Sequence, residues 1–321
     1  IELRNNGDGS GFLARNYNLP TLNSTNTPAT VNTKRVNLSA IKTYDGNDIL
    51  DGSEVTITTG VNPNGTTETL TYSDATSSSA RVAGPDGDAS VEDNYIDGIT
   101  LGNASDGSGG LSSNYHRPSL STINKTEEVT INAVTINPAT LIPTLTNSGY
   151  SQVYDGALEA DLTPTWSFSG FVDGDLDVTL TSTGKTYNNA HVVNANTITV
   201  SGLDISAISG SNGSQPSDYI LDEDSKTIAA TITTKVLTPT ISNSSYSQVY
   251  DGSTQADISP TWNFNSSLVD GDTSATLNST GKTYNDKDVL DANQITVSGL
   301  SISYISGSNG SLASDYHLDA T

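Results

Sequence analysis

The sequence predicts an all-β chain of tandem small domains, each an immunoglobulin-like sandwich or, as the alternative, a β-grasp-like sheet with a covering segment. Three observations carry this. Long blocks recur: Ser-Gln-Val-Tyr-Asp-Gly at 151–156 returns at 247–252, Pro-Thr-Trp at 164–166 returns at 260–262, and Ser-Thr-Gly-Lys-Thr-Tyr at 182–187 returns at 279–284. The spacing of 96 or 97 residues exceeds the roughly 20 to 50 of a solenoid unit and matches one small domain. Only 33% of the residues are hydrophobic, so each core must be thin, and paired thin sheets let alternate side chains face water. The polar residues are mainly Thr, Ser, Asn, Asp and Gly, which suit strands and turns, and no stretch carries a helical apolar period.

Taken in order, residues 1–34 read as the last part of a preceding repeat, because Gly11–Leu19 matches Gly310–Leu318 in pattern. Residues 35–136 form a divergent repeat without Trp, with loops at 62–65 and 102–110 and a closing strand near 127–134. Residues 137–235 form the best copy and residues 236–321 a copy lacking its last strand. Within these copies Trp166 and Phe168 share one strand face, as do Trp262 and Phe264, Val178 and Leu180, and Ile198 and Val200, so all are predicted core positions. Linkers are almost absent: residues 233–237 pass directly from one repeat into the next, which predicts a semi-rigid rod. The last copy is expected to leave an open edge beside Tyr316. Further chain in a longer protein is the expected cover, with strand donation between copies as the alternative.

The motif around which each copy is organised is Tyr-Asp-Gly: Tyr44, Asp45, Gly46; Tyr154, Asp155, Gly156; and Tyr250, Asp251, Gly252. Asp-Gly is turn chemistry, and a preceding Tyr buries its ring while its hydroxyl reaches a polar partner. The triplet therefore reads as the end of a repeat's first strand and not as catalytic.

Thirteen basic against thirty-six acidic residues give a formal net charge of −23. That argues against nucleic acid and against an electrostatic hold on anionic membranes. The chain has no Cys, so nothing depends on disulfides, and no Met, even at position 1, which points to a processed or excised segment. No stretch approaches the roughly 20 apolar residues of a membrane-spanning helix.

Val153-Tyr154-Asp155-Gly156, the Val172-Asp-Gly-Asp175 turn, Ser201-Gly-Leu203, Asp218-Tyr219-Ile220-Leu221 and Ala230-Thr-Ile-Thr233 together resemble the YDG domain repeated in filamentous-haemagglutinin-like bacterial adhesins. The resemblance covers nearly the whole chain, although the first copy has Arg117 where Leu is expected. It implies a segment of a long exoprotein of Gram-negative bacteria, many exported by two-partner secretion, on the cell surface or in a biofilm matrix. Its partners would be neighbouring repeats or other copies in a filament, with extracellular polysaccharide or a host or bacterial surface as the adhesion target.

Sites of chemistry are sparse. Asp173, Asp175 and Asp177 alternate as in the start of a Ca²⁺ loop, but position 184 is Gly where a bidentate Glu would be wanted, and the other copy keeps only Asp270 and Asp272. A polar hairpin turn is the favoured reading, with no cofactor beyond that weak calcium candidate. His116, His191 and His317 have no repeated nucleophile or carboxylate at useful spacing, so no catalysis is expected. Lys185 and Lys282 are equivalent and would serve an isopeptide bond only beside a buried Asn and an acid. Trp166 and Trp262 read as core residues before sugar platforms. A non-catalytic structural or adhesive stalk is the expected function, and a multivalent carbohydrate-binding array is the alternative, marked by exposed aromatics in register, Tyr187 and Tyr284 first.

Overall fold

The computed structural model describes residues 29–83, 94–120, 125–126, 129–243, 245–264 and 266–319. The expected match of residues 11–19 to the last repeat lies outside them. Short strands joined by turns and irregular loops make up the described residues, with single 3₁₀ turns as the only helical pieces among them. The chain is all-β.

In the middle repeat, Ala139–Leu145 pairs antiparallel with Trp166–Ser169 and parallel with Tyr219–Leu221. Tyr150–Val153 lies parallel to Ser225–Thr233, which pairs antiparallel with Thr197–Ser201, itself paired with Gly184–Tyr187. A bulged ribbon of Asp175–Thr181 and Asp204–Gly210 completes the unit. The third repeat reproduces the ribbon as Asp272–Asn278 with Ser301–Gly307 and the hairpin as Gly281–Tyr284 with Ile295–Ser298. The first repeat holds Asn37–Thr43 between Val55–Thr58 and Asn132–Asn137, the last in parallel; the closing strand expected near 127–134 thus lies further on, and positions 127–128 are outside the described residues. These sheets have two to four strands each. Several of their pairs are parallel, which the expected antiparallel sandwich did not include.

The predicted strand faces hold where alternation is strict. Ile198 and Val200 are fully buried, and Val178 is buried with Leu180 packed beside it. The tryptophans differ from expectation. Trp166 and Trp262 are only half-buried, packed at the margin of a core, whereas Phe264 is buried. Each ring starts a short strand, Trp166–Ser169 or Trp262–Asn263, that is paired along one edge only, so part of the ring stays in water.

Apolar packing crosses the repeat boundaries. One cluster joins Leu38, Tyr44 and Ile96 of the first repeat to Leu141, Val178, Ile205 and Tyr219 of the second. The other joins Tyr154, Ile198 and Ile232 of the second to Phe264, Val269, Ile305 and Tyr316 of the third. Continuous extended chain bridges each boundary: Asn132–Asn137 leads into Ala139–Leu145, and Ser225–Thr233 into Lys235–Leu237, which pairs parallel with Tyr316–Leu318.

Because Ile198 belongs to a core shared by two repeats, Ile198→Ala is expected to cost about 2–5 kcal/mol and to lower the melting of the second and third repeats together. Differential scanning calorimetry checks this; a shift confined to one of two separate transitions would contradict the shared core.

Candidate functional site

The features with the most elaborate polar chemistry are the two joints between repeats, and the Tyr-Asp-Gly motif builds both. At the first joint the Tyr44 hydroxyl lies 2.5 Å from Ser214 Oγ. Ser214 donates to Asp175 Oδ2 at 2.6 Å, and Tyr219 donates to the same oxygen at 2.6 Å. A hydroxyl has one proton to give, so with Ser214 donating to the carboxylate, Tyr44 donates to Ser214. The Tyr44 and Tyr219 rings meet edge to face, centroids 5.6 Å apart at 75°, a favoured aromatic geometry. The second joint repeats the tyrosine contacts: Tyr154 to Ser311 at 2.6 Å, Tyr316 to Asp272 at 2.6 Å, and rings 5.6 Å apart at 74°.

Gly46 and Gly156 complete the motif. Both have positive φ, +83° each, which glycine adopts without the Cβ penalty. The face each presents is occupied by the next repeat. A Cβ on Gly46 would lie 2.9 Å from Val172 Cγ1 and 3.0 Å from Asn212 Nδ2, and one on Gly156 3.0 Å from Asn309 Nδ2. Asp45 and Asp155 stay at the surface, where each carboxylate accepts a backbone N–H two residues on. The motif is thus a turn, as its chemistry predicts, but its Tyr and Gly serve the neighbouring repeat.

A buried acid sits beside each tyrosine pair. Asp218 and Asp315 end equivalent 3₁₀ turns and are fully buried. Asp218 accepts from Arg81 Nη1 at 2.7 Å, from Val82 N at 3.0 Å and from Gln215 N at 2.8 Å. Asp315 meets His191 Nδ1 at 2.8 Å, Val192 N at 2.9 Å and Leu312 N at 2.7 Å. In each case the facing side chain, Arg81 or His191, and one amide come from the preceding repeat, so the acid's hydrogen bonds are complete only when the joint is closed. Arg81 and His191 hold one slot, 110 residues apart like Tyr44 and Tyr154. That pairing was hidden from the sequence because Arg and His share no letter. The signal available was the repeated Ser before each Asp-Tyr.

The predicted calcium carboxylates do not converge. Asp175 turns inward to Ser214 and Tyr219, with its Oδ1 buried against Gly210 and without a hydrogen-bond partner. Asp177 Oδ1 accepts from its own neighbour's amide, Val178 N. Among the described residues no group of three or more His, Asp or Glu is placed to hold a metal ion. Lys185 and Lys282 instead donate to the backbone carbonyls of Leu162 and Ile258. His116 and His317 bond equivalent threonines, Thr33 and Thr234. Tyr187 is buried and donates to Thr231 O, so it and the half-buried Tyr284 do not form an exposed row.

Tyr250 breaks the pattern. It is 58% exposed against 3% for Tyr44 and 1% for Tyr154, and apart from its own Tyr250 hydroxyl nothing approaches Gly252. A groove beside it is lined by Tyr246, Gln248, Tyr250, Asp251 and Tyr284.

The joints and the recurring core define a tandem-repeat protein whose units interlock through a tyrosine-bearing turn. A family model of the YDG domain matches residues 137–228 and 233–321, more than half of the chain, and the chain belongs to the YDG domain family. Neither a curated protein nor a solved structure matches it. No helix among the described residues is long and apolar enough to cross a membrane.

Paired substitutions separate the joint from the turn. Gly156→Ala and Gly252→Ala share a positive-φ penalty of about 1–2 kcal/mol, but only Gly156→Ala meets a neighbouring repeat, so it is expected to cost more in urea unfolding. Likewise Tyr154→Phe should cost about 1–2 kcal/mol and Tyr250→Phe almost nothing. Equal costs within either pair would contradict the joint.

The tyrosines also set an alkaline limit. Burial, opposed in part by the Ser214 and Ser311 hydroxyls, raises Tyr44 and Tyr154; burial and the hydrogen bond to Asp175 or Asp272 raise Tyr219 and Tyr316 far above the ordinary phenol value. Burial also pushes Tyr187 up to about 12. A folded pKa above the unfolded one means stability is fully present below about pH 10 and is lost as pH rises towards the folded values. Urea midpoints should therefore hold from pH 7 to about 9.5 and fall steeply beyond about pH 10.

Proposed function

We propose that this chain is a non-catalytic structural and adhesive stalk segment of a large extracellular protein on the surface of a Gram-negative bacterium. It extends the molecule or builds a biofilm-matrix filament, as in the filamentous-haemagglutinin-like, two-partner-secreted adhesins whose YDG repeats it resembles. The observation that carries this reading is the interlocking of successive repeats: the Tyr44 and Tyr154 turns are each completed by the following repeat, an arrangement suited to joining units in series. Absence of Cys suits export, and a net charge of −23 spread along the chain favours separation of neighbouring stalks in water. Neither cofactor nor calcium is needed in this reading. The immunoglobulin-like sandwich belongs to it as the finer description of each thin two-layer unit.

A multivalent sugar-binding array is the second reading, favoured by the groove in which the Tyr246 and Tyr284 rings lie 6.4 Å apart beside Gln248 and Asp251. Small-angle scattering and a glycan screen decide between them. The stalk reading expects an elongated particle of the same length with calcium or EDTA, and no glycan retained. A compact particle would overturn it, and glycan binding abolished by Tyr284→Ala would establish the second reading.

A further inference from the structure

The two joints hold the same dipeptide in the same place and guard it differently. Ser209-Gly-Ser-Asn212-Gly-Ser214 recurs letter for letter as Ser306-Gly-Ser-Asn309-Gly-Ser311. In both copies the Asn is half-buried and the Gly after it is exposed at positive φ, +64° for Gly213 and +68° for Gly310. The Asn212 amide donates to Asp173 O at 2.6 Å, and the Asn309 amide to Asp270 O at 2.5 Å. Each amide also lies against the Tyr-Asp-Gly glycine of the preceding repeat, Gly46 or Gly156, so it is part of the joint. Asn-Gly is a dipeptide in which the backbone nitrogen can attack the side chain before it, because glycine puts no Cβ in the way. The Gly nitrogen bonds to Asn Cγ and gives up its proton, and the side-chain nitrogen leaves as ammonia. Water then opens the cyclic imide to aspartate or to its β-linked isomer, isoaspartate. Ring closure requires the peptide plane between Asn and Gly to rotate.

At the first joint Arg81 opposes that rotation. Its Nη2 donates to Asn212 O at 3.0 Å and also to Gly213 O, so one group holds the carbonyls of both residues. It covers Gly213 as well: a Cβ there would lie 3.2 Å from Nη2. Arg81 is itself fixed, because its Nη1 donates to the fully buried Asp218. At the second joint the same slot holds His191, whose ring meets Asp315. An imidazole has no second arm with which to reach further. Among the described residues no side chain donates to the carbonyls of Asn309 and Gly310, and a Cβ on Gly310 would meet nothing within 4 Å. Identical sequence is thus clamped at one joint and free to rotate at the other.

We propose that Asn309 is a site of spontaneous modification, converting to aspartate or isoaspartate in the folded chain, and that Arg81 withholds the same conversion from Asn212. The product replaces an amide donor with a carboxylate facing the Asp270 carbonyl, which leaves two acceptors with no proton between them. The second joint therefore loosens with age, and the first does not. The inference concerns the two joints alone and does not depend on where the chain is displayed or what it binds.

The test is peptide mapping by mass spectrometry of the 1–321 chain aged in mildly alkaline buffer, with circular dichroism melting of each variant to confirm folding. In urea the two sites are expected to convert at one rate, since their flanking sequences are identical. In the folded chain Asn309 is expected to convert about tenfold or more faster than Asn212, the factor that one charge-assisted hydrogen bond is worth. His191→Arg is expected to bring Asn309 down to the Asn212 rate, and Arg81→His to bring Asn212 up to the Asn309 rate. Asn309→Asp, which makes the product directly, is expected to speed amide hydrogen exchange at Tyr316–Leu318 and leave Tyr219–Leu221 unchanged. Equal rates at Asn212 and Asn309 in the folded wild type overturn the proposal. So does an Asn309 rate that His191→Arg leaves as it was, and exchange at Tyr316–Leu318 that ignores Asn309→Asp overturns the loosening.

Discussion

A buried tyrosine hydroxyl must find a hydrogen-bond partner, and for Tyr44 and Tyr154 the partner belongs to the next repeat. Tyr44 reaches Ser214 and Tyr154 reaches Ser311, each across a repeat boundary and each beside a second tyrosine tied to an aspartate. Leaving such a group unpaired costs more than making the bond gains. The neighbour is therefore part of each repeat's own stability. The rest follows from this dependence: the glycine that lets the neighbour approach, the basic residue that meets its buried acid, and an apolar core that belongs to two repeats at once.

The same dependence explains how so polar a chain folds. Two clusters that straddle the boundaries bury more together than the thin sheets of one repeat could bury alone, which is the general logic of repeat proteins. Surface polarity is then free to be extreme. Thr, Ser and Asn fill the outward positions of the strands, and their side chains often close short turns, as Asn188 does for the amides of Asn196 and Thr197.

Much of this was legible in the sequence, and the limits have physical causes. Repetition and strict alternation revealed the β class, the repeat period and core positions such as Ile198 and Val200, because those signals are local. Asp-Gly revealed a turn for the same reason. The partners of Tyr44 were not legible, since Ser214 lies 170 residues away and no local pattern ties the two. Trp166 misled because a shared strand face predicts which side a ring takes and not how deeply the neighbouring sheet covers it. The Asp173, Asp175 and Asp177 alternation resembled a cation loop until Asp175 proved to be turned inward to its tyrosine. A β-bulge between Asp175 and Asp177 breaks the period of two there, so Asp175 is buried while Asp177 is exposed.

The parallel pairing of Tyr150–Val153 with Ala230–Thr233 bears on how the molecule carries a load. Chain enters the repeat ahead of the first of these strands and leaves after the second. Tension along the chain pulls two parallel neighbours in opposite directions along their length. Their hydrogen bonds are then loaded in shear, all at once, and cannot be peeled apart one by one. The Asn37–Thr43 and Asn132–Asn137 pair has the same sense, so successive repeats are clasped in the orientation that resists extension, whatever pulls on the ends.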